Sequence, residues 1–256
     1  MYFDEISIYI FLVIFGLCLG SFINVVISRL PHKGFFLSKT RSCCPVCNKP
    51  IKPYDLIPVI SWFILLGKCR SCKTQISPRY PLVELSCATF SVISFARFGL
   101  DFATIIAFGT LCVLLAISLI DYDINEIPDS LVLTIGVFAI ASIWLMPEVG
   151  IINRIIGLFV ISVPLLILSL IINGAFGGGD IKLMAACGFL LGWQSTLLSF
   201  FIAIIIGGTL AIALMALGKR KRGDFIAFGP AICIGVAISL FFGNQIISWY
   251  LGVFLI

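Results

Sequence analysis

Apolar residues occur along this chain in long runs that have the length of membrane-spanning helices. Most runs hold no charged residue and lie close to the ~20 residues that a helix needs to cross a bilayer. One run is weaker because Glu84 and Arg97 lie near its ends. The runs occupy residues 6–28, 82–98, 102–120, 130–147, 155–179 and 195–217, and a last one begins after Pro230.

A further apolar segment lies between Leu183 and a break at Gly192, Trp193 and Gln194. This segment is too short to cross a membrane alone as a straight helix. We count it as the sixth of eight crossings because of the distribution of basic residues.

Lysine and arginine set the orientation of the spans. The segment 29–80 is strongly basic, and placing it in the cytoplasm also places Lys182 and the cluster 219–222 inside. Of the 17 Lys and Arg residues, only Arg97 and Arg154 then lie outside, which satisfies the positive-inside rule. Seven spans would put the cluster on the wrong side of the membrane.

Composition excludes other classes of protein. The chain is 61% hydrophobic and 11% charged, against roughly 25% charged residues in a soluble domain. A water-soluble globular fold is therefore excluded, and so is disorder. The net charge of +5 follows membrane orientation and does not indicate binding of nucleic acid. We predict an all-α polytopic membrane protein with about eight transmembrane helices.

The loop after the first span carries two cysteine pairs in C-x2-C spacing. Cys44 and Cys47 are separated from Cys69 and Cys72 by 21 residues, and two such turns can supply four thiolates to a tetrahedral zinc ion. The loop is too small to bury much core, so a metal would stabilise it. The alternatives are two disulfides or unused thiols, and a cytoplasmic location disfavours disulfides. We predict zinc or another thiophilic metal, with Cys43 outside the ligand set.

This organisation predicts three parts of the chain. The first transmembrane helix occupies residues 1–28, and a cytoplasmic zinc-binding loop domain with the four paired cysteines occupies 29–81. A membrane domain of seven helices occupies 82–256 and carries the acidic residues described next.

Two acidic positions border the spans at the predicted cytoplasmic face. Asp121 directly follows the third span, and Asp180 follows three glycines before the short segment. Ionisable groups at the edges of spans are costly and indicate function. If the two carboxylates meet, they can share a proton, activate water and protonate a leaving amine, as in aspartic proteolysis.

Structural roles are the alternative for these acids. Asp121 could be a charge at a helix end, Asp180 could be an N-cap, and Asp129 after Pro128 has the pattern of an N-cap for the fourth span. The sequence lacks the residues that other hydrolytic mechanisms need. His32 is the single histidine and lies in the basic loop, so a membrane-buried Ser–His dyad is excluded, and the sequence has no H-E-x-x-H motif.

Separate motifs follow one another along nearly the whole chain. They are residues 20–26 with 29–31, the paired C-x2-C loop, 79–84, 119–121 with 128–129, 178–182, and 228–230. In this order they resemble the type IV prepilin peptidases, a family of aspartic intramembrane proteases that are both leader peptidases and N-methyltransferases.

The resemblance implies two catalytic aspartates, Asp121 and Asp180, and metal coordination by Cys44, Cys47, Cys69 and Cys72. It implies a bacterial inner (plasma) membrane and an active site facing the cytoplasm. The implied partners are the lipid bilayer and type IV prepilins or pseudopilins, each with a short basic leader before an apolar helix. No nucleic-acid partner is implied.

The second implied activity is methylation of the new N-terminus with S-adenosylmethionine. The sequence has no G-x-G-x-x-G fingerprint, so the binding site of this cofactor is unassigned. Gly67 and Glu84 are candidates beside the metal loop, with a turn glycine and an interfacial charge as their alternative roles. Because the loop is compact for this family, a peptidase without methylation is one alternative function. A non-enzymatic zinc-bearing assembly factor or transporter is the other.

Overall fold

The computed structural model describes residues 2–31, 42–172, 176–219 and 227–254. The chain forms two compact units, Met1–Cys112 and Val113–Ile256, and the boundary falls within the fourth helix. In chain order the elements are α1 (Tyr2–Arg29), a 3-10 turn (Pro53–Leu56), α2 (Ile60–Ile64), α3 (Arg79–Phe98), α4 (Phe102–Ile124), α5 (Asp129–Leu145), α6 (Ile151–Val160), α7 (Ser162–Ile171), α8 (Gly178–Leu191), α9 (Trp193–Ala216) and α10 (Gly229–Phe254).

Each of the eight predicted apolar segments contains helix among its described residues, which confirms the all-α polytopic class. In the described part of the chain, six helical stretches are long and apolar enough to cross a membrane, and α5 is a shorter apolar helix of 17 residues. Helices α6 and α7 together form one of the six, with an interruption at Ile161. Pro164 explains the interruption, because it lacks an N–H and its ring crowds the carbonyl four residues earlier. The remaining segment, α8, has 14 residues.

Several predicted boundaries are wrong. The fifth span was predicted at 155–179, but helix begins at Ile151 and ends at Ile171. The span was predicted as a run of uncharged residues and therefore excluded Arg154, whose charge is satisfied inside the protein. Asp121 lies within α4 instead of after it, and Asp180 lies in the first turn of α8 instead of in a loop. His32 and positions 220–222 of the basic cluster lie outside the described residues.

Helices α1 and α3 approach closely in the first unit. A Cβ on Gly16 would lie 2.6 Å from the Cα of Ala88, and a Cβ on Gly20 would lie 2.6 Å from the Cα of Glu84. Glycines one helical turn apart therefore let the two backbones touch, as small residues commonly do between membrane helices.

The second unit has equally close crossings. Gly157 of α6 and Gly188 of α8 face each other's carbonyl groups with no room for a Cβ on either residue. Gly235 of α10 lies in the same way against the carbonyl of Ser199 in α9. These contacts fix α8 beside α6, and α10 beside α9.

Arg154, in the first turn of α6, is 1% exposed and binds the carboxyl-terminal ends of two short helices. Its guanidinium donates to the carbonyls of Ser142 and Met146 at the end of α5, at 3.0 and 2.8 Å. It also donates to Phe189 and Leu190 at the end of α8, at 3.3 and 3.2 Å. The last carbonyls of a helix lack intrahelical partners and carry partial negative charge, which a cation stabilises.

Helix α8 is short for a membrane crossing. Its 14 residues span about 21 Å, against about 30 Å of hydrocarbon. Arg154 lets α5 and α8 end within the protein without leaving their carbonyl groups unsatisfied.

We expect Arg154→Met to lower the free energy of unfolding by roughly 3 kcal/mol, because it removes a buried donor from several carbonyls at once. Heat- or SDS-induced unfolding in detergent micelles measures the change. Arg97→Met is the matched control, because Arg97 is exposed, and we expect an effect below about 1 kcal/mol. Equal losses in the two variants would contradict this role of Arg154.

Candidate active site and metal centre

Asp121 is buried near the end of α4, with 6% of its surface exposed. Its Oδ2 accepts a hydrogen bond from the backbone N–H of Gly229 at 2.9 Å, and Gly229 is the first residue of α10. The first N–H groups of a helix have no intrahelical acceptor, and the positive end of the helix dipole favours a carboxylate. The start of α10 therefore holds one oxygen of Asp121 in place.

Gly229 makes this contact possible because it has no side chain. A Cβ at this position would lie 2.6 Å from Oδ2 of Asp121 and 3.0 Å from its Cγ. Any other residue would displace the carboxylate from the N–H that binds it. In the sequence, residues 228–230 stand out only as a motif, and this contact is not predicted. The available signal is a Gly-Pro pair that opens a helix.

Asp180 lies in the first turn of α8, three residues after the N-cap residue Gly177. Its carboxylate lies close to Gly177, where a Cβ would be 3.2 Å from Oδ2 of Asp180. Asp180 is therefore not itself the N-cap, which was one of its alternative roles. The side chain is half-buried.

The structure brings the carboxylates of Asp121 and Asp180 within electrostatic range of each other. The buried thiol of Cys233, in α10, lies within range of both. The second unit thus holds two acidic groups near each other, one buried and one half-buried.

The segments that carry the two aspartates also touch. A Cβ on Gly179 would lie 2.8 Å from the Cβ of Ile127, so the start of α8 packs directly on the turn after α4. That turn begins at Asn125, which has a φ of 54° and ends α4 in the left-handed conformation that asparagine tolerates.

Asp129 does not have the predicted N-cap role. It is the first residue of α5, and the N-cap position is Pro128, with no side-chain hydrogen bond. The Asp129 carboxylate pairs with Lys182 Nζ at 2.8 and 3.0 Å. Both side chains are exposed, so the pair contributes little to stability, but it joins α5 to α8 beside Asp180.

The four cysteines of the paired motif form one cluster in the first unit. The sulfur atoms of Cys44, Cys47, Cys69 and Cys72 all lie within 4.8 Å of one another. Cys44 Sγ and Cys72 Sγ are 3.8 Å apart, which is about the spacing of two thiolates in a tetrahedral zinc site with Zn–S bonds of about 2.3 Å. The residues present therefore fit a zinc ion.

The two cysteine turns are nearly identical. In the first, the N–H of Asn48 donates to the carbonyl of Cys44, and in the second the N–H of Lys73 donates to Cys69. Asn48 and Lys73 both have positive φ, at 54° and 60°. The repeated turn presents each pair of sulfurs on the same side of the backbone.

The thiols differ in acidity. Hydrogen bonding to Thr74, first through its side chain and then through its backbone, lowers the pKa of Cys72 to about 6. A backbone hydrogen bond from Lys49 lowers the pKa of Cys47, but desolvation and the neighbouring thiols outweigh it and raise the pKa to about 11. Four thiolates in contact repel one another unless a divalent cation neutralises them.

Gly67 and Glu84, the two candidates for binding S-adenosylmethionine, make contacts that give each of them a structural role. Gly67 has a φ of 65°, and a Cβ there would lie 2.9 Å from the Trp62 ring. Glu84 is buried and accepts a hydrogen bond from the backbone N–H of Val59 at 2.7 Å. These are the contacts of a turn glycine and of a carboxylate that ties the metal-binding loop to α3.

Comparison with known proteins identifies the family. Residues 14–98 match the bacterial peptidase A24 N-terminal domain, and residues 108–212 match the type IV leader peptidase family. This chain belongs to the type IV leader peptidase family. The first match contains the cysteine cluster and Glu84, and the second contains both aspartates. Gly229, which binds Asp121, lies beyond the matched segments of this family member.

Relatives resemble the chain over almost its full length. The prepilin leader peptidase/N-methyltransferase of Aeromonas salmonicida (strain A449) is 34% identical over 271 residues, which cover 94% of this chain and 93% of that protein. The protein of the same name from Bacillus subtilis (strain 168) is 32% identical over 240 residues, which cover 94% and 96%. No solved structure matches this chain.

The glycines before Asp180 provide a matched pair of variants. Gly179→Ala drives a methyl group into Ile127, and we expect it to lower the free energy of unfolding by about 1–3 kcal/mol. A Cβ on Gly178 meets nothing within 4 Å, so Gly178→Ala should be neutral or slightly stabilising. Thermal unfolding of the two purified variants measures the difference, and equal stabilities would contradict the packing described.

The cysteine cluster predicts a metal ion. We expect Cys69→Ser to weaken zinc binding by more than about 100-fold, because it removes one of four thiolates. Cys43→Ser should retain the metal, since Cys43 lies outside the cluster. Elemental analysis of both purified variants is the measurement. Retention of zinc in Cys69→Ser at the wild-type level would exclude this site.

Proposed function

We propose that this chain cleaves the leader from type IV prepilins or pseudopilins and methylates the new N-terminus with S-adenosylmethionine. The observation that carries the proposal is the convergence of Asp121 and Asp180 in a helical membrane bundle of a type IV leader peptidase family member. The relatives named as prepilin leader peptidase/N-methyltransferase support both activities, because the similarity covers 93% and 96% of their length.

In the proposed reaction Asp121 and Asp180 share one proton. The ionised carboxylate takes a proton from a water molecule, which attacks the scissile carbonyl, and the protonated carboxyl group donates to the leaving amine. The hydrogen bond from Gly229 orients the carboxylate of Asp121, and the first turn of α8 positions Asp180. Because the pair acts as a unit, the roles of base and acid belong to the pair and not to one residue.

We place the active site at the cytoplasmic face of the bacterial inner membrane. The bias of Lys and Arg toward one set of loops supports this orientation. The substrate then offers a short basic leader on the aqueous side and an apolar helix in the bilayer, and cleavage occurs at the boundary between them.

Zinc on Cys44, Cys47, Cys69 and Cys72 has a structural role in this proposal. A site closed by four thiolates has no open position for a substrate or a water molecule. The ion would stabilise a loop that has little apolar core of its own. S-adenosylmethionine would supply the methyl group, and we assign no residues to its binding.

We expect Asp121→Asn and Asp180→Asn each to reduce leader cleavage by about 10³-fold, because each removes one member of the acid–base pair. Glu148→Gln is the matched control: its carboxylate is exposed and lies between α5 and α6, at the opposite end of α5 from the aspartates. Purified protein is incubated with a prepilin, with and without S-adenosylmethionine, and the product is weighed.

A product heavier by one methyl group only when S-adenosylmethionine is present supports the second activity. Cleavage without that mass gain would identify a peptidase that does not methylate. Undiminished cleavage in both Asn variants would exclude the proposed pair, and no cleavage by the wild-type chain would favour an assembly factor or transporter.

A further inference from the structure

Within residues 42–81, the described part of the metal-binding loop, one edge consists of exposed apolar side chains. In and around α2, Phe63 is 60% exposed, Ile64 is 70% exposed and Leu66 is 81% exposed. Exposed side chains of this kind are expected on membrane spans, but α2 is not among the candidate spans. We define the apolar edge as Leu56, Ile57, Ile60, Phe63, Ile64 and Leu66, all exposed.

A hydrogen bond fixes the depth of this edge relative to the spans. The N–H of Val59, directly before α2, donates to Glu84 at 2.7 Å, and Glu84 also interacts with the side chain of Ser21 in α1. Glu84 lies five residues inside the start of the α3 span at Arg79 and Ser21 lies eight residues inside the end of the α1 span at Arg29. At 1.5 Å per residue these positions are roughly 7 and 12 Å within the helices.

Because the Glu84 side chain extends back toward the start of α3, Val59 lies near the level at which the two spans end. Amphipathic segments at a membrane surface bury their apolar residues to about 5–10 Å, at the boundary of headgroups and acyl chains. Trp62 is half-buried and donates from its indole N–H to the carbonyl of Ile76, a combination of apolar ring and satisfied polar atom that suits this depth.

We propose that the apolar edge inserts into the lipid bilayer and anchors the metal-binding loop at the membrane surface. The occupant is lipid, because the hydrogen bond from Val59 to Glu84 holds this edge at the end of the α3 span. The anchor is independent of the proposed catalytic function.

Charge on the loop distinguishes lipid from substrate as the occupant. The loop carries five exposed basic residues: Lys49, Lys52, Lys68, Arg70 and Lys73. Asp55, an acidic residue of the same loop, is bound bidentately by Arg70. Exposed basic side chains on the loop attract anionic lipid headgroups and repel a basic leader peptide.

The test places the photoreactive residue benzoylphenylalanine at Phe63 or Ile64 in the full-length chain. The protein is reconstituted in vesicles of phosphatidylethanolamine and phosphatidylglycerol and irradiated, and intact mass spectrometry counts covalent lipid adducts. We expect several-fold more adduct at both positions than at Gln75, an exposed polar position beyond the second cysteine turn. Leu133, 70% exposed on α5, is the positive control.

Zinc content and thermal unfolding show that each labelled protein is folded. Adduct at Phe63 or Ile64 no greater than at Gln75, with normal labelling at Leu133, overturns the proposal. A prepilin added before irradiation provides the second arm. If it replaces lipid as the adduct at both edge positions, the edge is a substrate surface, which also overturns the proposal.

Discussion

Hydrocarbon offers no hydrogen-bond partners, so a charged group that these helices carry inside the bilayer needs partners from other parts of the chain. Arg154 and Asp121 meet this requirement in complementary ways. The buried guanidinium binds carbonyls at the carboxyl-terminal ends of α5 and α8, where helix dipoles are negative. The buried carboxylate binds the N–H at the start of α10, where the dipole is positive.

Arg154 and Asp180 lie at opposite ends of α8. Arg154 binds the carbonyl groups at its carboxyl-terminal end, and Asp180 lies in its first turn. A helix of 14 residues is too short to position itself by hydrophobic length alone. Its placement depends on Arg154 at one end and on the contact of Gly179 with Ile127 at the other, so the geometry of Asp180 depends on both.

Glycine provides space for polar groups to meet in this protein. Gly229 admits the carboxylate of Asp121, and the Gly157–Gly188 crossing brings α8 against α6. In the metal-binding loop of the first unit, two repeated cysteine turns take the place of a packed apolar core. Its attachment to the spans again depends on one buried carboxylate, Glu84.

The sequence alone determined the helical class, the apolar segments and the grouping of the cysteines. The thickness of the hydrocarbon layer sets the length of each apolar helix, and C-x2-C spacing places two sulfurs within one turn. Both the helical segments and the cysteine pairs can therefore be predicted without knowledge of distant contacts. The predicted start of the fifth span was wrong because Arg154 is bound by carbonyl groups inside the protein. A run of uncharged residues ends at any charged residue and cannot show which carbonyl groups lie nearby.

Only the tertiary structure decided what surrounds the aspartates. Asp121 and Gly229 are 108 residues apart in sequence, and no local pattern encodes which helix start will receive a given carboxylate. The local sequence around Asp129 has the pattern of an N-cap, but its carboxylate pairs with Lys182 on another helix, which the local pattern cannot show. Hydrogen bonds and ion pairs between helices depend on how the helices pack, which is a property of the whole unit.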